Sequence, residues 1–417
     1  MKRVVVTGLG AITPIGNSVA AYLDGLQSGR SGANIITRFD ASNFKTNFAC
    51  EVKNFDPDEF MDKKEARKMD LFCQFAMVAA DEAIAKAGLD QQLEQLDLDR
   101  VGVIWGAGIG GLRSLEKEIE EFITGNGAPR YNPFMIPKMI IDIAAGMISI
   151  KYGFRGINYA TVSACASSSH ALINAFDYIR LGKNDIIVTG GSEAAITKAG
   201  VGGFNAMKAL STRNDDFLTA SRPFDAERDG FVLGEGGGAL ILEELEHAQK
   251  RGATIYAEVV GGGATSDAYH MTAPHPEGIS VSKVMRIALE DAGMTAEDID
   301  YINVHGTSTP LGDVAELKAI QQVFGEQAYQ MNISSTKSMT GHLLGAAGAI
   351  EAIACILAIN HNFVPPTINH FNDDAEIDGR LNLTFNEAQQ RPVRAAMSNT
   401  FGFGGHNSTV IFKRFEN

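Results

Sequence analysis

The chain has few of the features that mark metal-binding, secreted or nucleic-acid-binding proteins. Only four cysteines occur among 417 residues, and Cys50, Cys73, Cys165 and Cys355 show no CxxC spacing. Structural zinc sites and disulfide frameworks both need closely spaced cysteines, so neither is favoured. The formal net charge of −14 argues against generic nucleic-acid binding. An acidic partner would need a local basic patch.

Signals for secretion or membrane insertion are also weak. The opening residues, MKRVVVTGLGAITPIG, contain an apolar run too short for a signal peptide and then reach Gly and Pro. The longest apolar stretch, Leu343–Ile359, carries Glu351 in its middle and is slightly short of a membrane span. We interpret it as a buried helix and expect a cytoplasmic protein without a membrane segment.

No low-complexity linker divides the chain, yet 417 residues are too many for one simple core. Short β-branched runs that end in glycine alternate with helical stretches, one of them a continuous helix over about 63–88. This alternation predicts buried, largely parallel sheets. One strand–helix series finishes near 247–259 and another starts. We therefore predict an α/β protein with two halves, 1–255 and 256–417, packed into one body.

Two glycine-containing segments miss the motifs that they suggest. In VTGLGAITPIG, Thr13 stands where the dinucleotide-binding motif GxGxxG has its third glycine, and Pro14 interrupts the expected helix start. In TGGSEAA, which contains Ser192, Ala194 replaces the last glycine of the hydrolase motif GxSxG. Both assignments are disfavoured.

Cys165 lies in the segment TVSACASSSHALINAF, among alanines and serines. A helix predicted from about Ser167 places the sulfur near amide groups that favour a thiolate. The small neighbours leave room for a substrate, and the adjacent N–H could face an oxyanion formed at a thioester or ester carbonyl. A buried structural thiol is an equally good interpretation of this segment alone.

Two histidines favour the catalytic interpretation. His305 follows an apolar strand in YINVHGTSTPLGD, at the strand end where open α/β sheets bind ligands. His342 lies among glycines in SSTKSMTGHLLGAAGA, at a predicted helix start. A lone histidine is more often structural, but two in Gly- and Thr-rich turns beside a cysteine indicate a catalytic set. The loop FGFGGHN, 401–407, could present N–H groups while Phe403 moves, or be an ordinary turn before the last strand.

Basic residues cluster on an otherwise acidic chain. The candidate docking residues are Lys63, Lys64, Arg67 and Lys68, with Lys208 and Arg213 further along. Such a run is usually only a solvated helix face. It could also bind an acidic partner, because electrostatic attraction acts locally, over about 8–10 Å.

The segments ACASS, HGTSTPLGD, STKSMTGHLLGAAG, FGFGGHN and SRPFDAERDGFVLGEGGGALILEE (221–244) occur in this order along nearly the whole chain. Together they resemble the β-ketoacyl-[acyl-carrier-protein] synthases. The resemblance implies a thiolase-like fold, in which two αβαβα halves form a five-layered α-β-α-β-α homodimer subunit. It implies no metal or cofactor, because the pantetheine arrives on the acyl carrier protein. The basic cluster would bind this acidic carrier.

The resemblance also implies roles for single residues. Cys165 would hold the acyl chain, the amides of Cys165 and Phe403 would form the oxyanion hole, and His305 and His342 would donate hydrogen bonds to an enolate. Lys337 and Glu351 would support the histidines. The implied substrate-binding residues are Thr307, Thr309, Ile109, Phe204, Phe403 and Thr272. His406 departs from the family, where many members have Thr, so the effect on gating stays open.

Alternatives within and outside the family remain. Ile109 and Phe204 match the long-chain type II pattern, but a type I or polyketide-type ketosynthase is possible, whereas type III synthases carry Asn at the second histidine. A Cys–His thioesterase or amide hydrolase would need an orienting acid and gains nothing from a second histidine. A non-catalytic partner subunit would lack Cys165. A biosynthetic thiolase would carry a second catalytic cysteine in the C-terminal glycine loop.

Overall fold

The computed structural model describes residues 1–416, which form an α/β protein built on a ten-stranded sheet. Seven strands lie in the first half of the chain: β1 Val4–Ile12, β2 Asn34–Ile35, β3 Phe48–Ala49, β4 Val101–Gly106, β5 Asn158–Thr161, β6 Ile186–Glu193 and β7 Gly236–Glu244. Seven lie in the second half: β8 Ala257–Ser266, β9 Tyr301–Asn303, β10 Asn332–Ser334, β11 Phe363–Val364, β12 Gln389–Gln390, β13 Ala395–Gly402 and β14 His406–Lys413.

Helices connect most of these strands. Those of the first half are α1 Val19–Gln27, α2 Lys63–Ala66, α3 Leu71–Lys86, α4 Leu112–Thr124, α5 Met135–Met139, α6 Ile143–Tyr152, α7 Ser167–Arg180, α8 Lys198–Ala206 and α9 Leu245–Lys250. Those of the second half are α10 Ile279–Ala292, α11 Pro310–Phe324, α12 Lys337–Thr340 and α13 Ala347–His361.

The sheet repeats one pattern in each half. Its order is β10-β9-β13-β14-β8-β1-β7-β6-β4-β5, so five strands of the second half adjoin five of the first. In the first half, β4 pairs parallel with β5 and β6, whereas β7 pairs antiparallel with β6 and β1. In the second half, β9 pairs parallel with β10 and β13, whereas β14 pairs antiparallel with β13 and β8. The two half-sheets meet where β1 pairs with β8.

Helices complete five layers around the two half-sheets. Helix α3 packs on β1, β7 and β6, and α10 packs on β8 and β14, which makes them outer layers. Helices α7 and α13 pack on each other and on strands of both halves, so they form the middle layer. Helix α13 belongs to an apolar segment, Leu344–His361, that is long enough to cross a membrane but lies buried in the protein.

The two middle helices begin in the same way. A 3₁₀ turn, Ala164–Ala166, precedes α7, and another, Leu344–Ala346, precedes α13. The first residue of each turn has a positive φ, 52° at Ala164 and 48° at Leu344, although neither is glycine. Such a conformation is uncommon for residues with a Cβ and often marks a functional site. It directs the chain sharply into each helix beside the cavity described below.

The structure confirms the α/β class and the thiolase-like, duplicated architecture. It corrects the expectation of largely parallel sheets, because four strand pairings of the ten-stranded sheet are parallel and five are antiparallel. It corrects the continuous helix predicted over 63–88, which breaks between α2 and α3. The break occurs because the Asp70 side chain accepts the backbone N–H of Phe72 and starts α3 as its N-cap. The division at 255/256 stays a prediction and falls between α9 and β8.

Candidate active site

A cavity of about 720 Å³ lies where the first turns of the two middle helices meet. Its wall includes Cys165, His305 and His342, which come from distant parts of the chain. The sulfur of Cys165 and one ring nitrogen from each histidine lie within 4.8 Å of one another. This volume suits a small-molecule substrate, and the three reactive groups converge on one point of its surface.

Hydrogen bonds of Ser167 shape the turn that carries Cys165. The N–H of Ser163 donates to Ser167 Oγ at 3.0 Å, and the Ser167 hydroxyl donates to the carbonyl of Ala164 at 2.7 Å. One serine therefore satisfies polar groups on both sides of Ala164. The strained turn is held closed, with the Cys165 side chain at the cavity wall.

The small residues after Cys165 pack against other parts of the protein and do not line the cavity. Ala166 and Ser167–Ser169 are buried. Glycines of other elements lie against this run, so that a Cβ at Gly106 would be 2.4 Å from the Ser168 nitrogen and one at Gly402 would be 3.1 Å from the Cys165 nitrogen. Ala164 and Cys165 line the cavity, so the small neighbour that borders the open space is Ala164. Access of a substrate to the sulfur stays a prediction.

The sulfur of Cys165 is less acidic than its position beside a helix start suggested. Only 6% of the residue is exposed, and this burial raises the pKa of the Cys165 thiol to about 11. The Lys337 charge and the backbone N–H groups of Phe403 and Cys165 act in the opposite direction on this pKa. Desolvation exceeds them, so the expected effect of the amides on the thiolate is present but burial outweighs it.

Buried backbone contacts hold both histidines in place. The N–H groups of His305 and Gly306 donate to the two oxygens of Glu316, each at 2.9 Å. The His342 N–H donates to the Val232 carbonyl at 2.8 Å. The two rings are 5.2 Å apart and nearly perpendicular, at 88°. Glu316 thus holds the backbone of His305 and not its ring, and within residues 1–416 no carboxylate binds Nδ1 of either ring.

The ring nitrogens show which tautomer suits the site. His342 Nε2 lies 3.0 Å from Cys165 Sγ. The Nδ1 atoms of His305 and His342 are buried and have no hydrogen-bond partner within residues 1–416. A hydrogen on Nδ1 would be a buried donor without an acceptor, so the tautomer with hydrogen on Nε2 is favoured. Both N–H groups then point to the cavity.

Lys337 and Glu351 form an ion pair in the protein interior, behind the two histidines. Burial, and after it the Lys337 charge, holds the pKa of His305 and His342 well below the usual value. Burial also raises the pKa of Glu351 to about 7. The pair therefore sits beside two imidazoles that stay neutral at physiological pH.

The glycine-rich hairpin loop brings Phe403 next to the sulfur. It connects β13 to β14, and the Gly405 N–H donates to the Gly402 carbonyl at 3.1 Å. Gly402 lies close to the Cys165 nitrogen, and the backbone N–H groups of Phe403 and Cys165 both act on the Cys165 sulfur, where they lower its pKa. Two N–H groups near one nucleophile can bind an oxyanion. His406 begins β14 opposite Gly402, and its ring lies beside Gly404.

Every residue predicted to bind substrate lines the cavity. These residues are Thr307, Thr309, Ile109, Phe204, Phe403 and Thr272. The hydroxyl oxygens of Thr307 and Thr309 are 3.1 Å apart, and Ile109 and Phe204 share one apolar cluster. The wall thus has a hydroxyl-bearing part and an apolar part. Their roles stay predictions.

The predicted docking residues are placed less uniformly. Lys63, Lys64 and Arg67 are exposed, whereas Lys68 is half-buried and pairs with Glu65 at 2.6 Å. Lys208 is exposed at the cavity wall. Arg213 is half-buried and donates to the Glu227 carbonyl at 2.8 Å, away from the cavity wall. Lys64, Arg67 and Lys208 are therefore the members most available to a partner.

Sequence reasoning missed several residues of the wall. Phe231 lies against His342, with ring centres 5.4 Å apart, and Phe401 lies 5.7 Å from the His305 ring. Leu344 and Glu316 also line the cavity. Phe231, Phe401 and Leu344 lie in segments that carry the family resemblance, so their place in the sequence could have marked them as candidates for the cavity wall. Glu316 looks like any acidic residue of a helix.

Comparison with known proteins gives consistent matches. The family model described as "Beta-ketoacyl synthase, N-terminal domain" matches residues 1–248, and "Beta-ketoacyl synthase, C-terminal domain" matches residues 256–371. The chain is 51% identical over 415 residues to 3-oxoacyl-[acyl-carrier-protein] synthase 2 of Synechocystis sp., covering 100% of this chain and 99% of the relative. The enzyme of the same name from Staphylococcus aureus is 50% identical, with the same coverage.

A solved structure is also similar in fold. It is described as a type II PKS acyl-carrier protein in complex with its ketosynthase bound to the hexaketide. The match has a TM-score of 0.91 and 34% sequence identity, and it covers 99% of this chain and 100% of that one.

The buried ion pair gives a testable prediction. We expect Lys337→Met to lower the free energy of unfolding by about 3–5 kcal/mol, because Glu351 would remain buried without its partner. The double variant Lys337→Met/Glu351→Gln should recover part of this loss. Denaturant unfolding measures both. Lys198→Met, which removes a half-exposed pair with Glu120, should cost under about 1 kcal/mol; an equally small loss for Lys337→Met would contradict the prediction.

Proposed function

Because this chain belongs to the β-ketoacyl synthase family, we propose that Cys165, His305 and His342 perform its reaction. That reaction is the decarboxylative condensation of a cysteine-bound acyl chain with malonyl-[acyl-carrier-protein], which lengthens a fatty acid by two carbons, as expected for a 3-oxoacyl-[acyl-carrier-protein] synthase 2. The single observation that carries the assignment of residues is the convergence of the three reactive atoms within 4.8 Å at one cavity wall.

In the first half-reaction the Cys165 sulfur attacks the thioester carbonyl of the acyl carrier. A bond forms between sulfur and the carbonyl carbon, and the bond to the pantetheine sulfur breaks. The thiol hydrogen ends on the departing pantetheine. The N–H groups of Cys165 and Phe403 bind the oxyanion of the tetrahedral intermediate, and each such donor is typically worth about 3–4 kcal/mol.

In the second half-reaction malonyl-carrier loses CO₂, and the electron pair of the broken carbon–carbon bond forms an enolate. The Nε2–H groups of His305 and His342 donate to the enolate oxygen. The enolate carbon then attacks the acyl group on Cys165, which forms the new carbon–carbon bond and releases the sulfur, and a proton restores the thiol. Neutral imidazoles suit this step, because they donate hydrogen bonds without giving up a proton.

The arrangement of the histidines also separates this reaction from hydrolysis. A Cys–His thioesterase uses a general base whose Nδ1–H is held by an acid or amide. Within the described part of the chain, neither histidine has such a partner at Nδ1. Two neutral donors directed at one point fit enolate stabilisation instead.

An acyl carrier protein is the partner that supplies both substrates. The described complex of a similar ketosynthase with its carrier supports this assignment. Lys64, Arg67 and Lys208 present positive charge on a chain of net charge −14. We propose that they attract the acidic carrier, while Thr307 and Thr309 bind its pantetheine arm. The reaction then requires no resident metal or cofactor.

A second copy of the chain is the proposed occupant of the sheet edge at β5. This strand ends the ten-stranded sheet, and α6 packs beside it. Large apolar side chains are exposed on the same stretch of chain: Ile119, Ile123, Tyr131, Phe134, Ile136, Ile140, Ile150 and Val162. Exposed edge strands and clustered apolar groups are normally covered. We propose a homodimer through this face.

The state of the cysteines supports a proposal about the compartment. Cys50, Cys73, Cys165 and Cys355 are all free thiols. We propose that the enzyme works in the cytoplasm and not in a membrane, because a reducing compartment keeps Cys165 available for acylation.

The assignment of Cys165 is tested by Cys165→Ala. We expect the variant to form no acyl-enzyme and no β-ketoacyl product, because the alanine has no sulfur to carry the chain. The measurement is condensation of acyl-carrier with malonyl-carrier, followed by mass spectrometry of enzyme and product. Cys73→Ala, at a buried cysteine outside the cavity wall, serves as the matched control. Normal condensation by Cys165→Ala would disprove the mechanism.

The docking assignment is tested by charge reversal. We expect Lys64→Glu and Arg67→Glu each to raise the KM for acyl-carrier substrate roughly fivefold, the equivalent of about 1 kcal/mol. An acyl-pantetheine substrate without the carrier protein should be unaffected. Lys250→Glu, at an exposed lysine on α9, is the control. An unchanged KM for the carrier-bound substrate would remove these residues from the interface.

The homodimer is tested by Ile150→Glu, a substitution at a side chain that is 75% exposed on α6. We expect a larger fraction of monomer, because burying the new charge in the contact is costly. Sedimentation velocity over a range of protein concentrations measures the equilibrium. Phe371→Glu, at a similarly exposed apolar residue elsewhere, should leave the dimer intact. A wild-type protein that is monomeric at all concentrations would refute the proposal.

A further inference from the structure

Glu193 is a buried acid between two parts of the cavity wall. It is the last residue of β6 and follows Ser192 in the segment TGGSEAA. Ser192 itself is occupied in the core, where its oxygen accepts the Trp105 Nε1–H at 3.0 Å. Glu193 is fully buried and has no part in the chemistry described above. A buried acid is costly unless its contacts compensate for the lost hydration.

The contacts of this carboxylate are all with backbone N–H groups. Its Oε2 accepts from Gly108 at 2.7 Å and from Gly345 at 3.1 Å, and its Oε1 accepts from Gly110 at 3.0 Å and from Ile109 at 3.1 Å. Among the described residues, no lysine or arginine forms an ion pair with it. An ionised carboxylate has enough lone pairs for four donors, and hydrogen bonds to a charged acceptor are the stronger kind.

These four donors belong to two segments that are distant in sequence, and each segment carries a residue of the cavity wall. Gly108–Gly110 is the loop after β4 in the first half of the chain, and it carries Ile109. Gly345 lies in the turn before α13 in the second half, next to Leu344. Ile109 and Leu344 both line the cavity and pack in the same apolar cluster. The Glu193 side chain therefore links the segment that carries Ile109, in the first half, to the turn that carries Leu344, in the second half.

Backbone atoms of both segments lie close to the carboxylate. A Cβ at Gly345 would lie 2.7 Å from Glu193 Oε2 and 2.2 Å from the Gly108 nitrogen. A Cβ at Gly108 would lie 3.0 Å from the same oxygen and 3.2 Å from the Ala164 carbonyl. The carboxylate is thus separated from the turn that bears Cys165 by a single glycine. Its negative charge also raises the pKa of the Cys165 thiol, in addition to burial.

We propose that Glu193 is a positioning residue that fixes the distance between the Ile109 and Leu344 walls and thereby determines which acyl chain lengths reach Cys165. Shortening or neutralising the side chain releases the Gly108–Gly110 loop from the turn at Gly345. The inference rests on the proposed roles of Cys165 and Ile109, and it adds a residue that contacts neither the acyl chain nor the sulfur.

Two substitutions separate the reach of the side chain from its charge. Glu193→Asp keeps the charge but is one methylene too short to contact both walls. Glu193→Gln keeps the length but replaces one acceptor oxygen with a donor that faces N–H groups. Glu243→Gln is the matched control, because Glu243 is as buried as Glu193 and lies at the opposite end of the β6–β7 pairing. There it forms an ion pair with Arg251 and accepts a hydrogen bond from the Thr7 hydroxyl. Ile109→Phe is the positive control, since it narrows the cavity directly.

The first readout is kcat/KM for condensation across acyl-carrier lengths. We expect Glu193→Asp and Glu193→Gln each to change the ratio of kcat/KM for a long acyl chain to kcat/KM for a short one roughly tenfold. This is the effect expected when one hydrogen bond to a charged group is lost. The second readout is the pH midpoint for iodoacetamide alkylation of Cys165. It should move to lower pH in Glu193→Gln, because removing a nearby negative charge favours the thiolate, and stay in place in Glu193→Asp.

Glu243→Gln should lower the unfolding midpoint without changing either readout. A chain-length ratio equal to wild type in Glu193→Asp or in a folded Glu193→Gln, while Ile109→Phe shifts it, would overturn the proposal. If Glu193→Gln does not fold, Glu193→Asp decides by the first readout alone. Failure of the wild-type enzyme to condense would instead refute the function proposed for the site, so the two failures are distinguishable.

Discussion

The site depends on the close approach of backbone from the two halves of the chain at the starts of α7 and α13. Nothing larger than glycine fits at several of these contacts: a Cβ at Gly345 would lie 2.2 Å from the Gly108 nitrogen, and one at Gly348 would lie 3.0 Å from the Ser169 nitrogen. Because interiors are close-packed, added atoms here would move the helices apart. The three reactive groups stay within reach of one another only while these contacts are maintained.

Burial gives this site an unusual charge state. A solvated cysteine and two solvated histidines would exchange protons readily near neutral pH. Here the pKa of the Cys165 thiol is raised to about 11 and the pKa of His305 and His342 is lowered, so all three groups are uncharged before substrate arrives. In the proposed mechanism the backbone amides of Cys165 and Phe403 stabilise the first oxyanion and the histidine N–H groups stabilise the enolate. The buried Lys337 charge, after burial itself, favours the neutral form of both imidazoles.

Much of this arrangement can be predicted from the sequence, because the residue types in each short segment and the order of the segments along the chain both indicate the site. Cys165, His305 and His342 each lie in a turn rich in small residues, and the structure brings them together. The effect of burial on the acidity of Cys165 was not predicted, since a helix start is visible in sequence whereas the atoms that cover a sulfur are not. Asp70 interrupts a regular apolar pattern, which hides the end of α2. Glu193 and Glu316 were missed because their carboxylates accept hydrogen bonds from backbone N–H groups that are distant in sequence. A local sequence pattern carries no information about such contacts.

The matching turns before the two middle helices carry a consequence for how a duplicated protein divides its tasks. Counting from Ala164 and Leu344, the residue equivalent to Cys165 in the second half is Gly345. No side chain fits there, because Gly108 and the carboxylate of Glu193 already occupy the space. The second half therefore has no cysteine side chain at this place, and both imidazoles of the cavity wall come from it instead. Under the proposed mechanism the chain has one acylation point, so its two structurally similar halves take different chemical roles.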